Sequence, residues 1–383
     1  MDISKFNQFV RDIYGTDKFI PLHEPRFLGN EKKYVLDTIE STFVSSVGAF
    51  VTDFEEKIQA FTGSKRAVAT VNGTAALHVA LLMAGVQRED IVITQALTFV
   101  ATCNALSYIG AEPLFIDVSL KTLGLCPKAF DEYLEEHAFI DDLGVCRHKN
   151  SNKRISAVVP MHTFGHPVEL DELLEVSEKW HLILVEDAAE SLGSYYKNQH
   201  TGTLSLVSAL SFNGNKVITT GGGGMVLCQE EALGAKTKHI TTTAKIPHPY
   251  EFYHDENGFN YRMPNLNAAL GCAQMENLTG FLEKKRHLAR QYQEFFKDAD
   301  TTFVVEPENC RSNYWLNAII CADKTHRDNV LEGTNKGQVM TRPIWTLMTK
   351  LPMYENALQD HLGNSKWLEE RVVNIPSSVP LDA

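Results

Sequence analysis

The stretch from 183 to 227 constrains the fold of this 383-residue chain most strongly. An apolar run, Leu182 to Val185, lies at its start and is typical of a buried strand. A Glu-Asp pair ending at Asp187 follows directly. A second apolar run, Ala209 to Phe212, precedes a lone Lys216 and four consecutive glycines. Because open α/β sheets place their ligands at the carboxyl ends of the strands, we expect these polar groups to share one edge of a sheet.

The acid, hydroxyl and amine of this stretch are the groups that a pyridoxal phosphate site needs. Asp187 would keep the pyridine nitrogen of the cofactor protonated, Ser211 would hold its phosphate, and Lys216 would bond to its aldehyde carbon. Taken singly, a strand-end Asp is more often a helix cap, a lone Lys is a solvated charge, and a glycine run is a flexible turn. The order and spacing of all of them together favour the cofactor site.

Short apolar and β-branched runs alternate with predicted helices from 66 to about 228. This alternation predicts an α/β fold with a mostly parallel sheet of about seven strands, covered on both faces. The alternation then stops, and a smaller α+β domain is predicted. We therefore divide the chain into an N-terminal arm (1–29), a large α/β domain that would bind the cofactor (30–240), and an interface loop with a small C-terminal domain (241–383).

A second anion-binding pattern follows the predicted strand at 66–71. The turn after this strand places Gly73 and Thr74 at a helix N-terminus, where free N–H groups and the positive end of the helix dipole meet. They are candidates for the cofactor phosphate, and the alternative is a structural turn capped by Thr74. Phe99, which follows the next predicted strand, could cover the face of the pyridine ring, although an aromatic there is more often part of the core.

Together these motifs resemble the DegT/DnrJ/EryC1/StrS sugar aminotransferases, a branch of the fold type I pyridoxal phosphate enzymes. The resemblance runs from about Ile20 to near the C-terminus. It is specific at three places: the NGTxAL motif at 72–77, the TFxAT motif at 98–102 and the lysine segment FNGNK at 212–216. It implies the fold type I architecture, the phosphate role of the first motif and a stacking role for Phe99 on the cofactor.

The resemblance also implies roles for residues far from the central stretch. Ser45 and Ser46 match a substrate-side loop, with a surface turn as the alternative. Asn260, in the motif GFNYRM, matches an Asn that reaches the cofactor phosphate of the neighbouring subunit, which implies a homodimer with shared active sites. Arg262 could lie near substrate phosphates or form a structural ion pair. By its position after a predicted strand, His162 would touch the substrate, and the alternative is a packing or surface histidine.

Glu190, three residues after Asp187, bears on the substrate. Many family members have Gln or His there, bonded to the ring hydroxyl of the cofactor, whereas Glu occurs in relatives that make 4-amino sugars such as perosamine and bacillosamine precursors. FNGNK followed by GGGG is most similar to the branch that aminates UDP-4-keto-6-deoxy-N-acetylglucosamine, toward bacillosamine or legionaminic acid. We therefore expect transfer from L-glutamate to C4 of that sugar. The alternatives are a GDP-perosamine-type 4-aminotransferase and a non-catalytic regulator that binds pyridoxal phosphate.

Composition and motif placement disfavour several other classes. A net charge of −12 argues against nucleic acid or an anionic membrane as the main partner. Seven scattered cysteines without a CxxC pair indicate reduced thiols of a cytoplasmic protein, so we expect neither disulfides nor a metal site. No apolar run reaches the ~18 residues of a membrane span. Lys216 argues against hydroxyl-removing relatives, which carry His, and the glycine run lies too late for a dinucleotide fingerprint.

Overall fold

The structure, a computed structural model, describes residues 1–381, so the last two residues of the predicted C-terminal domain lie outside it. Within the described residues, none of the helices is both long and apolar enough to cross a membrane. The helices are α1 (Ile3–Tyr14), α2 (Glu31–Glu40), α3 (Ala49–Thr62), α4 (Gly73–Met83), α5 (Val100–Ile109), α6 (Pro127–His137), α7 (Leu170–Lys179), α8 (Glu231–Thr241), α9 (Asn265–Phe296), α10 (Lys324–Lys336) and α11 (Gly363–Glu369).

An eight-stranded sheet forms the centre of the molecule, in the spatial order β1-β7-β6-β5-β4-β2-β3-β8. Its strands are β1 (Arg66–Thr70), β2 (Ile91–Gln95), β3 (Glu112–Ile116), β4 (Ile155–Val159), β5 (Ile183–Asp187), β6 (Val207–Ser211), β7 (Gly224–Cys228) and β8 (Leu358–Gln359). Strand β7 is antiparallel to both of its neighbours, and the other pairs are parallel. The predicted mostly parallel sheet is therefore confirmed. The eighth strand is a two-residue edge strand from the C-terminal part of the chain.

Helices cover both faces of this sheet. Successive residues of a strand point to opposite faces, so Leu184 packs with α6 and α7 on one side while Val185 packs with α4 and α5 on the other. Strands β2, β4 and β7 are buried along their whole length. That burial explains why these segments are near-continuous apolar runs in the sequence rather than alternating ones.

The C-terminal part carries a second, antiparallel sheet, which is the α+β arrangement predicted for it. Asn317–Ile320 and Val372–Ile375 pair at its centre, flanked by Thr302–Phe303 and Arg342–Pro343. The remaining strands form small ribbons: Ala138–Ile140 with Cys146–His148, Lys245–Ile246 with Tyr253–His254, and Cys310–Arg311 with Tyr195–Tyr196 and Gln199–His200.

Helix α9 is longer than the sequence pattern predicts. The segments 265–277 and 280–295 each have a helical sequence pattern, and in the structure they form one continuous helix of 32 residues. Glycine in a helix interior costs about 1 kcal/mol relative to Ala, and a Cβ at Gly280 would face open space. Leu278 and Phe281 on either side of it are buried in the core. Their burial outweighs the propensity cost, so the helix does not end there.

The N-terminal arm begins with a helix that the sequence analysis did not predict. Helix α1 is capped by Asp2, whose carboxylate accepts a hydrogen bond from the backbone N–H of Lys5 at 3.1 Å. It buries Phe6 and Val10 against Tyr292 of α9, within the apolar cluster of the C-terminal sheet. This end of the arm therefore completes the core of the C-terminal part.

Candidate active site

Asp187 is the last residue of β5, and its side chain is almost fully buried. Its carboxylate accepts hydrogen bonds from the Thr102 hydroxyl at 2.7 Å and from the Ala189 backbone N–H at 3.2 Å. Burial nevertheless raises the pKa of Asp187 above its ordinary value, because these bonds replace only part of the lost hydration. The site therefore holds a buried carboxylate that a cationic partner would stabilise.

Glu190 lies on the loop after β5 and is also buried. One carboxylate oxygen accepts the backbone N–H of Phe164 at 2.9 Å, and the other lies 3.5 Å from the ammonium nitrogen of Lys216. Burial raises the pKa of Glu190 to about 7, although the nearby ammonium lowers it. Phe164 has a φ of 57°, a left-handed conformation that is uncommon for a bulky residue. From this conformation its N–H donates to Glu190.

Lys216 follows β6 in the turn Asn213 to Lys216, and only 13% of its side chain is exposed. Its ammonium nitrogen is 3.9 Å from the centre of the Trp315 ring. The indole N–H of Trp315 donates to the backbone carbonyl of Asn215 at 2.6 Å. The lysine is thus held between a carboxylate and an aromatic face.

A cavity of about 260 Å³ opens between these side chains. It brings together the predicted cofactor residues Gly73, Thr74, Phe99, Asp187, Glu190, Ser211 and Lys216. Its remaining lining was not predicted as part of the site: Asn72, Leu77, Ala101, Thr102, Met161, Ala189 and Asn213. Residues that are far apart in the sequence therefore meet at the carboxyl end of the sheet, as the strand pattern predicted.

The N-terminus of α4 lies directly against Ser211. A Cβ on Gly73 would lie 2.8 Å from the Ser211 hydroxyl oxygen and 2.7 Å from its Cβ, so only glycine permits this approach. The helix is capped by Asn72, whose side chain accepts the N–H of Ala75 at 2.8 Å. Thr74 is therefore not the cap that the alternative interpretation required, and it lines the cavity. First-turn N–H groups and two hydroxyl residues form a cradle suited to an anion.

Ser45 and Ser46 lie on a loop that docks on the N-terminus of α9. The backbone N–H of Asn265 donates to the Ser45 carbonyl at 2.6 Å, and its side-chain amide donates to the Phe43 carbonyl at 2.7 Å. Among the described residues, the lining of the cavity does not include these serines. The structure shows what holds the loop and does not bring its hydroxyls to the cofactor residues.

Asn260 and Arg262 are neighbours beside the end of β1. The guanidinium of Arg262 donates to the side-chain oxygen of Asn260 at 3.0 Å, and the backbone N–H of Val71 donates to the Tyr261 carbonyl at 2.7 Å. Asn260 is exposed. Within residues 1–381, Arg262 pairs with this amide and with no carboxylate, so the ion-pair alternative is wrong for it within one chain. Neither side chain joins the cavity lining of those residues.

His162 is completely buried, and the structure contradicts the idea that it touches substrate. Its Nδ1 accepts the backbone N–H of Val168 at 3.2 Å, so its Nε2 carries the proton that is donated to Glu186 at 3.0 Å. Burial by itself raises the pKa of Glu186, but the hydrogen bonds from His162 and from backbone N–H groups outweigh it and hold that pKa below its ordinary value. His162 is therefore an interior partner of Glu186, because both of its nitrogens are engaged.

Two residues that hold the predicted side chains in place escaped the sequence analysis. Thr102, which holds Asp187, is the last residue of the TFxAT motif, and its position one helical turn after Phe99 was a usable signal. Trp315 belongs to the strand-like segment leading into the C-terminal sheet. Nothing local in the sequence connects it with Lys216, because the contact depends on how the C-terminal part packs on the large sheet.

The arrangement fits pyridoxal phosphate. Asp187 is buried without an ion-pair partner in the described part of the chain, and a protonated ring nitrogen would supply one. Lys216 offers an amine to the aldehyde carbon, and the cradle at Gly73 and Ser211 would hold the phosphate. The Phe99 ring is 48% exposed and so remains available to the face of a bound ring.

Comparison with known proteins bears on the same chemistry. The DegT/DnrJ/EryC1/StrS aminotransferase family matches residues 27–383. The chain is 33% identical over 362 residues to the GDP-perosamine synthase of Escherichia coli O157:H7, covering 94% of this chain and 93% of the relative. It is 30% identical over 367 residues to the GDP-perosamine synthase of Caulobacter vibrioides, covering 94% of each. The aminotransferase TlmJ from Streptoalloteichus hindustanus has a similar fold, with a TM-score of 0.84 at 22% identity, covering 94% and 93%.

Proposed function

Because this chain belongs to the DegT/DnrJ/EryC1/StrS aminotransferase family, we propose that it moves an amino group from L-glutamate to the keto carbon of a nucleotide-linked sugar. Its fold is that of the fold type I enzymes, and pyridoxal phosphate is the cofactor. The observation that carries the proposal is the convergence of Asp187, Glu190 and Lys216 on one cavity. Two carboxyl groups and an amine in that arrangement support amino transfer rather than cofactor binding alone.

The side chains of this site divide the chemical work. When bound, pyridoxal phosphate supplies a ring that accepts electron density from a substrate carbon. Asp187 would hold a proton on the ring nitrogen, and Thr102 keeps the carboxylate in place at 2.7 Å. Lys216 would bond to the aldehyde carbon of the resting cofactor, and its freed amine would take the proton from the α-carbon of the amino acid as a general base.

Glu190 affects how readily the Lys216 amine gains and loses a proton. It lies 3.5 Å from the Lys216 nitrogen, and burial raises its pKa to about 7. A carboxyl group with a pKa near neutrality can accept or return a proton at little cost in free energy. Glu190 therefore allows the lysine to lose and regain a proton within each half of the reaction.

We favour a GDP-linked 4-keto-6-deoxy sugar as the acceptor. Relatives at 30% identity or above include GDP-perosamine synthases matched over nearly their whole length. Perosamine is a 4-amino sugar, so the reaction at C4 that Glu190 indicates is retained. This choice replaces the UDP-4-keto-6-deoxy-N-acetylglucosamine expected from the FNGNK and GGGG segments, whose only support is that local similarity.

We further propose that two copies of the chain share their active sites. Asn260 is exposed and lies outside the cavity of its own chain among the described residues. The nearby ribbon carries strongly exposed aromatics, with Tyr250 80% and Phe252 82% exposed. Exposed apolar side chains of this size favour burial against another protein surface. A second copy would cover them and bring Asn260 to the neighbouring cofactor phosphate.

The acceptor can be tested with a panel of GDP- and UDP-linked 4-keto-6-deoxy sugars, isotope-labelled glutamate and the purified protein with its cofactor. We expect the label at C4 of the GDP-linked sugar, with kcat/KM at least about tenfold above that for the UDP-linked one. A preference for the UDP sugar would restore the first expectation. A spectral change with glutamate but no transfer to any sugar would support transamination of the amino acid and refute the sugar acceptor. No change with glutamate would favour a non-catalytic regulator.

A further inference from the structure

We propose that Trp315 is a positioning residue that sets where the Lys216 amine lies. The inference rests on the proposed function, because it concerns the same reaction. The ammonium nitrogen of Lys216 is 3.9 Å from the centre of the Trp315 ring. A cation is attracted to the negative face of an aromatic ring, and tryptophan provides the strongest such face. Within the described structure Trp315 lies outside the cavity lining, so it acts through the lysine.

The indole ring is tied to the turn that carries the lysine. Its N–H donates to the carbonyl of Asn215, the residue before Lys216, at 2.6 Å. Its backbone N–H donates to the side-chain oxygen of Asn313 at 2.8 Å, and its backbone carbonyl accepts the ammonium of Lys285 at 3.1 Å. Only 4% of Trp315 is exposed. Hydrogen bonds from both the side chain and the main chain of Trp315 therefore fix the position of the ring relative to the lysine.

Asn313 links the same segment to the loop that carries Glu190. Its side-chain amide donates to the backbone carbonyls of Glu190 and Leu192, each at 2.9 Å. The short segment from Asn313 to Trp315 thus binds the backbone on both sides of the amine. It holds the Glu190 loop and the Lys216 turn at the separation that gives the 3.5 Å contact between their charged groups.

Between these two residues the backbone is strained. Tyr314 has a φ of 48°, in the left-handed region that L-residues with a Cβ disfavour. The conformation is maintained because its N–H donates to the Ser312 hydroxyl at 3.0 Å and its own hydroxyl accepts the N–H of Glu306 at 3.0 Å. Strain that is enforced by surrounding bonds is concentrated at functional sites. Here the strained Tyr314 lies between Asn313 and Trp315, whose side chains hold the carboxyl loop and the lysine.

A fixed resting place matters because the amine works as an acid and a base only when it is free. A free lysine side chain has four rotatable bonds and many rotamers, and it loses entropy whenever it must return to one position. The ring face and Glu190 restrict the ammonium to one region. Without the ring, the amine would spend less time at the reacting carbon, whereas the binding of the sugar would be unchanged.

Substitutions at Trp315 separate the ring face from packing. Trp315→Leu removes the face, and Trp315→Phe keeps a face but loses the indole N–H. Trp367→Leu is the matched control, because the Trp367 ring also holds a cation, Arg371 at 4.9 Å, but lies at the surface. We expect Trp315→Leu to lower kcat about tenfold with an unchanged KM for the sugar. Trp315→Phe should restore most of the rate, and the control should match the wild type.

A second readout needs no sugar. Cofactor-free protein is mixed with pyridoxal phosphate, quenched with borohydride at intervals, and mapped by mass spectrometry for label on Lys216. We expect Trp315→Leu to capture the cofactor several times more slowly than the wild type, and Trp315→Phe to capture it nearly as fast. Capture by Trp315→Leu at the wild-type rate would overturn the proposal. So would equal slowing in the Leu and Phe variants, since packing alone would then set the rate.

Fluorinated tryptophan provides the test if Trp315→Leu does not fold. Fluorine weakens the negative ring face and nearly preserves its shape, so capture should slow in the wild-type sequence and stay unchanged in the Trp315→Phe background. No slowing in either background would refute the role of the ring face. Capture involves only the cofactor and Lys216, so its rate can be interpreted even if the proposed sugar reaction fails. Failure of the positioning role and failure of the proposed function are therefore distinguishable.

Discussion

The cofactor cavity and the segments expected to bind the sugar differ in how completely one chain builds them. Seven of the residues predicted for the cofactor line one cavity. In the described structure, the residues predicted for the substrate do not join that lining: Ser45, Ser46, His162 and Arg262. The eighth predicted cofactor residue, Asn260, behaves like the second group. The site is thus built in two ways, from strand ends and from segments outside the sheet.

Sheet pairing explains the first group. Asp187 pairs with Ala209 across parallel strands β5 and β6, so the residues that follow each strand emerge at one edge. The second group depends on loops, such as the one held by Asn265 on α9. A loop is placed by what it docks on, and part of that surface lies on a second copy in our proposal. The following predictions test this division.

The largest effect is expected inside the cavity. Lys216→Ala removes both the covalent anchor and the proton carrier, so turnover should fall by at least about 10³-fold. Asp187, Gly73 and Ser211 remain, so the cofactor should still bind, now removable by dialysis. Steady-state assays and absorbance before and after dialysis measure both effects, with Lys297→Ala, an exposed lysine, as control. Substantial turnover in the variant would break the assignment of the cavity.

His162 should behave as an interior residue. His162→Leu removes a hydrogen bond to the buried carboxylate of Glu186 and leaves the N–H of Val168 without its acceptor. We expect the free energy of unfolding to fall by roughly 2 kcal/mol, with the KM for the sugar unchanged. Urea unfolding and initial-rate kinetics test the two halves separately. A raised KM at unchanged stability would move His162 back into the substrate group.

The pKa of Glu190 predicts a dependence of stability on pH. Burial raises it from an ordinary value of 4.5 to about 7, so between these values the folded protein keeps a proton that the unfolded chain releases. The contribution of this group to the free energy of unfolding therefore falls as pH rises through that window, by on the order of 2 kcal/mol.

Glu190→Gln should remove this contribution. Urea unfolding of the cofactor-free protein at about pH 5 and about pH 7.5 measures it, and Glu178→Gln, at an exposed position of α7, serves as the matched control. Indistinguishable pH profiles for Glu190→Gln and the wild type would show that the carboxyl group is hydrated.

The smallest effect is expected at Asn260. Asn260→Ala should weaken cofactor binding about tenfold through loss of one hydrogen bond to a charged phosphate. If that phosphate is in the partner, mixing Asn260→Ala with Lys216→Ala chains should restore about a quarter of wild-type activity at a limiting cofactor concentration, because half of the dimers are mixed and each keeps one intact site. Mixtures no more active than their parents would place Asn260 in its own site or outside any site.

Local pattern was enough for the strand ends and the first turn of α4. Apolar periodicity located the strands, and parallel pairing then placed the residues after them at one edge without knowledge of any long-range contact. The same reasoning placed Gly73 at a helix N-terminus, and the structure adds that only glycine permits the approach to Ser211. Family resemblance added Phe99 and Glu190, which line the same cavity.

The sequence by itself therefore determined the sheet and the cofactor edge, because both follow from the alternation of side chains along short segments. Only the tertiary structure decided the burial of His162, the docking of α1, the continuity of α9 and the contact between Trp315 and Lys216. Each of these depends on packing between segments distant in the chain, where the burial of apolar surface outweighs local propensity. The residue pattern within a segment does not indicate which distant surface will cover that segment.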